Sequence, residues 1–315
     1  MGKIAFIFPG QGSQTVGMGK SLTEKDKSVE AIFRKADEKL GYSLSNIIFE
    51  GPKDKLTLTT NAQPALLTTS IAILQYFKQS NIEADYVAGH SLGEYTALVA
   101  SGAISFEDGV YAVRKRGEFM EEAVPNGEGT MAAVLGLERE ALEKATNAIT
   151  EEGNPVQLAN INCPGQIVIS GSRKGVELAS VRAKEAGAKR VLPLEVSGPF
   201  HSSMMKPASN KLQMVLNEIE VNKANIPVIA NVSAAEMSEP NEIKEKLIQQ
   251  LYSPVLWEDS VKKMIELGVD TFVEIGPGKV LSGLVRKIDR GVKTYSISDE
   301  DTLKSVLEAL KEELH

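Results

Sequence analysis

Tyr86-Val87-Ala88-Gly89-His90-Ser91-Leu92-Gly93 passes from a short apolar segment through a serine flanked by glycines into a stretch of helical length, Leu92 to Ser101. A brief apolar run closed by glycine reads as a buried strand, and the longer run after it reads as a helix. Gly89-His90-Ser91-Leu92-Gly93 fits the G-x-S-x-G spacing of a tight strand-to-helix turn that lifts a serine hydroxyl clear of a sheet. Glycines two residues to either side relieve the crowding of such a turn. The helix that follows turns free backbone N–H groups and positive potential toward a developing oxyanion, with the Leu92 amide as the natural first donor. The structural alternative is Ser91 as an ordinary helix N-cap, a position serine often fills.

Outward from this turn, the pattern alternates. Ile4 to Phe8 is a continuous apolar run stopped by Pro9-Gly10, and the spacing predicts helices over Ala62 to Gln79 and Phe106 to Val124. Strand and helix in alternation imply a parallel sheet covered by helices. The middle of the chain departs from that rhythm. Between the loop Asn126-Gly127-Glu128-Gly129 and the loop Ser197-Gly198-Pro199, the reading is strand 130–136, helix 138–150, strands 156–162 and 166–171, helix 173–187 and strand 189–196. The order β-α-β-β-α-β is the ferredoxin-like unit. Beyond Pro199 the expected elements are helix 203–220, strand 227–231, helices 242–252 and 257–267, strand 270–275, helix 279–288, strand 293–297 and helix 300–314, whose apolar stripe takes in Leu303, Val306, Leu307, Leu310 and Leu314. The expected class is therefore α/β: an α/β-hydrolase-like parallel-sheet core, residues 1–126 with 198–315, interrupted by a ferredoxin-like subdomain at 127–197.

Composition narrows the function. The 315 residues are 42% hydrophobic and 24% charged, enough apolar content for a large core. With 35 Lys+Arg against 42 Asp+Glu the net charge is −7, which argues against general nucleic-acid binding. No apolar run is long enough for a bilayer, and the N-terminus does not read as a secretory leader. A single cysteine excludes an internal disulfide and the multi-cysteine zinc frameworks, so no metal is expected and a reducing, cytoplasmic setting is.

A serine nucleophile needs a base, and the chain has three histidines. His315 is the last residue. His90 adjoins the nucleophile, so its ring should point away as a packed, hydrogen-bonded group. His201 remains, just past Pro199-Phe200 at the far boundary of the insert, where a cleft between domains would open. No acid stands out between serine and histidine, so either it is hidden or a carbonyl or amide orients the imidazole. In helix 106–124, Arg114 has Glu118 four residues on, an ordinary surface pair. Arg116 lies on the opposite flank beside Ala112, Val113, Phe119 and Met120, none of which can neutralise it. It either reaches solvent, meets an acid from another helix, or clamps a substrate carboxylate.

Phe8-Pro9-Gly10-Gln11-Gly12-Ser13-Gln14 follows the first strand and lacks the lysine and serine/threonine of a phosphate loop, which favours a second oxyanion donor from this segment. Taken together, Gly10-Gln11-Gly12-Ser13-Gln14, Gln63-Pro64-Ala65, Gly89-His90-Ser91-Leu92-Gly93-Glu94-Tyr95, Arg116-Gly117, Asn160-Ile161-Asn162-Cys163-Pro164-Gly165-Gln166, Phe200-His201, Gln250-Leu251-Tyr252 and Glu274-Ile275-Gly276-Pro277-Gly278 resemble, in order, the malonyl-CoA:acyl-carrier-protein transacylases of the acyltransferase family of fatty-acid and polyketide synthesis. The resemblance spans Ile4 to about Lys287. It implies Ser91 as acyl acceptor, His201 as its base, and Arg116 as the ligand of the malonate carboxylate. It also implies an oxyanion hole from the Gln11 and Leu92 amides, and orientation of His201 by the main-chain carbonyl of Gln250. Gln63 and Asn160 would line the pocket, and Phe200 with Gln63 looks like the malonyl-selective version. Cys163 is expected to be no more than a small loop residue.

The resemblance further implies malonyl-CoA as substrate, coenzyme A as product, acyl carrier protein as partner, and no resident cofactor, since the phosphopantetheine arrives on the carrier. Lys189, Arg190, Arg286 and Lys287 are the candidates for a basic surface facing the carrier or the coenzyme A phosphates, although ordinary solvated charge would also account for them. A monomer is expected. The rival readings are a serine thioesterase or hydrolase built on the same turn, and a non-catalytic carrier-binding relative.

Overall fold

The computed structural model describes residues 2–125 and 127–314, with the side chains of the last helix as far as Leu310. Asn126, His315 and the side chain of Leu314, all named above, lie outside the described residues.

Ten strands form two sheets among the described residues: β1 Lys3–Phe8, β2 Tyr86–Gly89, β3 Gly129–Leu135, β4 Val156–Cys163, β5 Gln166–Ser172, β6 Arg190–Pro193, β7 Val228–Ile229, β8 Glu236–Met237, β9 Val269–Ile275 and β10 Lys293–Ile297. The larger sheet has the order β10-β9-β1-β2-β7-β8 and is parallel except for the short edge strand β8. Its central strand β1 is buried from Ile4 onward, as an apolar run covered on both faces must be. One face packs on the helices Lys27–Leu40, Thr59–Phe77, Leu92–Ala100 and Phe106–Glu122; the other packs on Trp257–Glu266 and Val280–Ile288.

The smaller sheet has the order β4-β5-β3-β6, antiparallel throughout, with helices Arg139–Glu151 and Arg173–Glu185 on one face. In chain order its strands lie 2-3-1-4, two interleaved split β-α-β units, which is the ferredoxin-like arrangement expected from the element order. It meets the rest of the chain through the bridge Asn160 to Val255 and the packing of β4 on helix Trp257–Glu266. Residues 194–200, which return the chain from β6 to the core, run along the opening between the sheets.

Several expected elements differ at their ends. The strand expected at 189–196 stops at Pro193; one more backbone bond, from the Leu194 N–H to the Met131 carbonyl, holds the chain to β3 before residues 194–197 line a cavity. The helix expected from 203 opens with a 3-10 turn, Ser203–Met205, because Pro207 in its first turn cannot donate back to residue 203. The strand expected at 227–231 pairs over only Val228 and Ile229 and then turns back into β8. The helix expected from Ala62 starts at Thr59. Its Thr59, Asn61 and Gln63 are buried polar residues that break the apolar pattern without breaking the helix.

Candidate active site

β1 and β2 are adjacent parallel strands, and the loops at their carboxyl ends, Pro9–Gln11 and His90–Ser91, meet at the mouth of a cavity of about 630 Å³. Crevices at the carboxyl ends of parallel strands are where α/β folds place their ligands. Two glycines make this approach possible. A Cβ on Gly89 would sit 1.9 Å from the Gly93 carbonyl carbon, and one on Gly93 would sit 2.1 Å from the Phe8 carbonyl oxygen. Between them Ser91 adopts φ 52° and ψ −106°, a conformation that costs energy for any residue with a side chain. The backbone is held there by the Asn231 amide: its Oδ1 accepts from the Ser91 N–H at 2.8 Å, and its Nδ2 donates to the Gly89 carbonyl at 2.7 Å.

The Ser91 hydroxyl makes no cap bond to the helix behind it, so the N-cap alternative does not describe its use. Its Oγ lies 2.7 Å from His201 Nε2. His201 Nδ1 lies 2.8 Å from the Gln250 carbonyl oxygen, an acceptor only, which places the ring proton on Nδ1 and leaves Nε2 to accept from the serine. A main-chain carbonyl thus stands where an acid would in a triad. Burial, then the nearby Arg116 charge, pull the His201 pKa down to about 3, so the ring is neutral at physiological pH. Gln157 on β4 donates to the carbonyls of His201 and Tyr252 and accepts from the Ser203 amide, clipping the histidine's loop to the smaller sheet. His90 faces the other way: Nε2 meets Asn162 Oδ1 at 2.8 Å, the ring leans on Trp257, and burial holds its pKa below the usual value.

Arg116 is 1% exposed and has no carboxylate within ion-pair distance among the described residues. Its guanidinium donates to Gln63 Oε1 at 2.8 Å, Gln250 Oε1 at 2.9 Å and Ser91 Oγ at 3.0 Å, and lies over the Tyr95 ring. Nε has no partner. Desolvation lowers its pKa, yet an arginine stays charged in proteins, so the pocket floor is a fixed cation beside the serine oxygen. Two amide oxygens and the serine oxygen accept from the Arg116 Nη groups without forming an ion pair. That arrangement can take a carboxylate on the substrate while the neighbouring serine carries the acyl carbon.

Gln11, Leu92, Asn160 and Phe200 line the same cavity, and the buried Asn160 Oδ1 has no partner. Gln63 does not line it. The helix Thr59–Phe77 is buried nearly all round, so Gln63 lies behind Arg116 and reaches the cavity only through that side chain. None of Lys189, Arg190, Arg286 and Lys287 lines it either. All four are exposed: the Lys189 stem covers Gly136, whose amide bonds the Gly165 carbonyl at the β4–β5 turn, Lys287 donates to Gln166 at 3.1 Å, and Arg286 donates to Thr294 on β10. Arg286 and Lys287 share a second hollow of about 610 Å³ with Arg290 and Lys293. Cys163 is buried at the end of β4, where desolvation raises its thiol pKa. No cluster of metal-ligating side chains occurs among the described residues, and no described helix is long and apolar enough to cross a membrane.

Glu94 and Asn231 belong to this site and carry no role in the sequence reading. Glu94 is the only charged residue in Leu92–Ala100 and is fully buried, which was the available signal. Its carboxylate accepts from the Asn231 amide at 2.9 Å and from Gln250 Nε2, and burial pushes its pKa up to about 7 against those donors and the Arg116 charge.

A strained serine on a strand-to-helix turn, a neutral histidine on its oxygen and an uncancelled arginine beside both define a centre suited to covalent acyl transfer in an α/β fold. The chain belongs to the acyl transferase domain family, whose model matches residues 5–306. It is 64% identical over 313 residues to the malonyl CoA-acyl carrier protein transacylase of Bacillus subtilis strain 168, covering 99% of each chain. Among solved structures, the malonyl CoA-acyl carrier protein transacylase of Clostridium perfringens superimposes with a TM-score of 0.95 at 44% identity, covering 98% of each chain. A malonyl-transacylase in complex with its type II polyketide-synthase acyl-carrier protein superimposes with a TM-score of 0.94 at 41% identity, covering 98% of this chain and 99% of that one.

Proposed function

We propose that this chain moves the malonyl group from malonyl-CoA to the phosphopantetheine thiol of acyl carrier protein, through a malonyl ester on Ser91, and so supplies fatty-acid synthesis. The observation that carries the reading is one oxygen with two partners: Ser91 Oγ lies 2.7 Å from His201 Nε2 and 3.0 Å from Arg116 Nη2. The names of the relatives support the same chemistry.

In the first half-reaction, Oγ attacks the thioester carbonyl carbon as its proton passes to His201 Nε2. The carbonyl oxygen becomes an oxyanion facing the Gln11 and Leu92 amides at the helix N-terminus. The carbon–sulfur bond then breaks, coenzyme A leaves, and His201 returns the proton to its sulfur. In the second half-reaction, the carrier thiol gives its proton to His201 and its sulfur attacks the malonyl ester. Collapse of that intermediate breaks the bond to Oγ, which recovers its proton from the imidazolium. Arg116 holds the free carboxylate of malonate throughout, selecting a dicarboxylic half-thioester and fixing it for attack. The substrate carboxylate also offsets the charge that depresses His201, which makes the ring a better base once the pocket is filled.

Lys189, Arg190, Arg286 and Lys287 would meet the acidic carrier or the coenzyme A phosphates. The enzyme works on this reading as a cytoplasmic monomer with no resident cofactor or metal. The test is transfer from malonyl-, methylmalonyl- and acetyl-CoA to purified carrier protein. Malonyl transfer should dominate, and acetyl should gain relative to malonyl in Arg116→Ala. Rapid release of free malonate in place of transfer would make the chain a hydrolase.

A further inference from the structure

The amide of Gln250 has two unlike ends, and the site uses both. Oε1 accepts from Arg116 Nη2 at 2.9 Å, while Nε2 donates to the Ser91 carbonyl at 2.9 Å and to the Glu94 carboxylate. Nothing in the shape of an amide decides which end faces which neighbour; only the hydrogen-bond partners decide it. Arg116, a donor only, faces Oε1, and two acceptors, the Ser91 carbonyl and the Glu94 carboxylate, face Nε2; Glu94 is the acceptor that a side-chain change can remove. One of its oxygens is committed to the backbone N–H of Asn231 at 2.9 Å, a donor that cannot turn, so in the ionised form the other presents a pure acceptor to Gln250.

We propose that Glu94 is a positioning residue for substrate selection: together with the Ser91 carbonyl it fixes the orientation of the Gln250 amide so that an oxygen, and not an NH2 group, backs Arg116 and holds the guanidinium for the substrate carboxylate. The inference rests on the reading of Arg116 as the carboxylate ligand. It separates selection from chemistry within one residue, because His201 takes its bond from the main-chain carbonyl of Gln250, which does not depend on the side-chain amide.

Glu94→Gln is the discriminating change, since it keeps the shape and removes one acceptor. The fixed Asn231 N–H claims the new amide's oxygen and its NH2 then faces the Gln250 NH2, so Gln250 is either pushed off Arg116 by that clash or turned to set its NH2 against Arg116 and its oxygen against the Ser91 carbonyl. Two donor groups cannot satisfy one another, so Arg116 loses an acceptor and its hold on a carboxylate weakens.

The experiment measures kcat/KM for malonyl- and acetyl-CoA, per active serine titrated with a fluorophosphonate, in the parent chain, Arg116→Ala, Glu94→Gln and the double variant. The malonyl-to-acetyl ratio should fall by roughly tenfold to a hundredfold in Glu94→Gln, the range for losing a hydrogen bond to a charged group. In the Arg116→Ala background, Glu94→Gln should leave that ratio unmoved. A ratio equal to the parent's in Glu94→Gln, or a further fall of the same size in the double variant, overturns the proposal. An unchanged ratio in Arg116→Ala instead overturns the reading of Arg116. Gln250→Met provides a second route that does not need Glu94→Gln to fold. It removes the amide but keeps the main-chain carbonyl, so the ratio should again fall, and a parental ratio there also overturns the proposal.

Discussion

The helix Phe106–Glu122 carries two arginines two residues apart, and its two faces treat them in opposite ways. On the outer face Arg114 is a quarter exposed and paired: Nε donates to Glu118 at 2.8 Å, and Nη1 to the Thr60 carbonyl at 2.9 Å, Asn61 at 2.9 Å and the Tyr42 hydroxyl at 3.1 Å. Its charge is cancelled by Glu118, and its bonds tie three parts of the chain together. On the inner face Arg116 is buried deeper yet keeps its charge, because its partners are two amide oxygens and a serine. The fold stabilises both side chains, but only one remains able to attract an anion. An uncancelled buried cation costs stability, and the binding of a substrate carboxylate offsets that cost.

The comparison can be broken most decisively by exchanging what each arginine does. Arg116→Ala should lower malonyl kcat/KM by about 10²–10³-fold, within the range for truncating one partner of a buried charge pair, while Arg114→Ala leaves it near the parent value. Steady-state transfer assays of the two variants check this, and equal losses in both would end the distinction. A smaller effect follows from undercutting Arg116 without removing it. Gln63→Leu leaves a buried guanidinium N–H unpaired and should cost about 1–3 kcal/mol in chemical denaturation, with a raised KM for malonyl-CoA. Arg114→Ala should cost about 1 kcal/mol, since its bonds are partly hydrated.

The finest test uses His201 as a sensor of the Arg116 charge. The folded ring titrates near 3, against an ordinary value of 6.5, so between those pH values the unfolded chain holds a proton that the folded chain does not. Its contribution to stability is present above pH 6.5 and is lost as pH falls toward 3. With the charge gone in Arg116→Ala, the pKa should rise toward the ordinary value and the loss of stability on acidification should become shallower. Histidine NMR and denaturation across pH 5–7 measure both, and Arg114→Ala should move neither.

Much of this was legible in the sequence, and the reasons differ by region. Ser91 announced itself because a tight turn imposes glycines at fixed spacing, and His201 because only three histidines had to be sorted. Arg116 was legible because a helical wheel shows its neighbours to be apolar. The ferredoxin-like order of β3 to β6 followed from alternating strand and helix lengths. Between Gly10 and Asn61 the sequence reading predicted no helix, although Lys27–Leu40 and Leu44–Glu50 are helical. The pair β7–β8 was missed as a pair because two-residue strands have no periodicity to detect. Asn231, Gln157 and Glu94 act through contacts with residues far away in the chain, and no local pattern encodes those. Gln63 was expected at the cavity wall and lies behind it because its role depends on where another helix places Arg116.

The central claim is a malonyl ester on Ser91, and it is tested most directly by trapping it. The purified chain is mixed with [14C]malonyl-CoA without carrier, quenched in acid, digested, and the label is located by peptide mass. The account predicts one malonyl group per chain on the peptide containing Ser91, discharged by added carrier thiol and absent in Ser91→Ala. Label on any other residue, or label retained in Ser91→Ala, would contradict it.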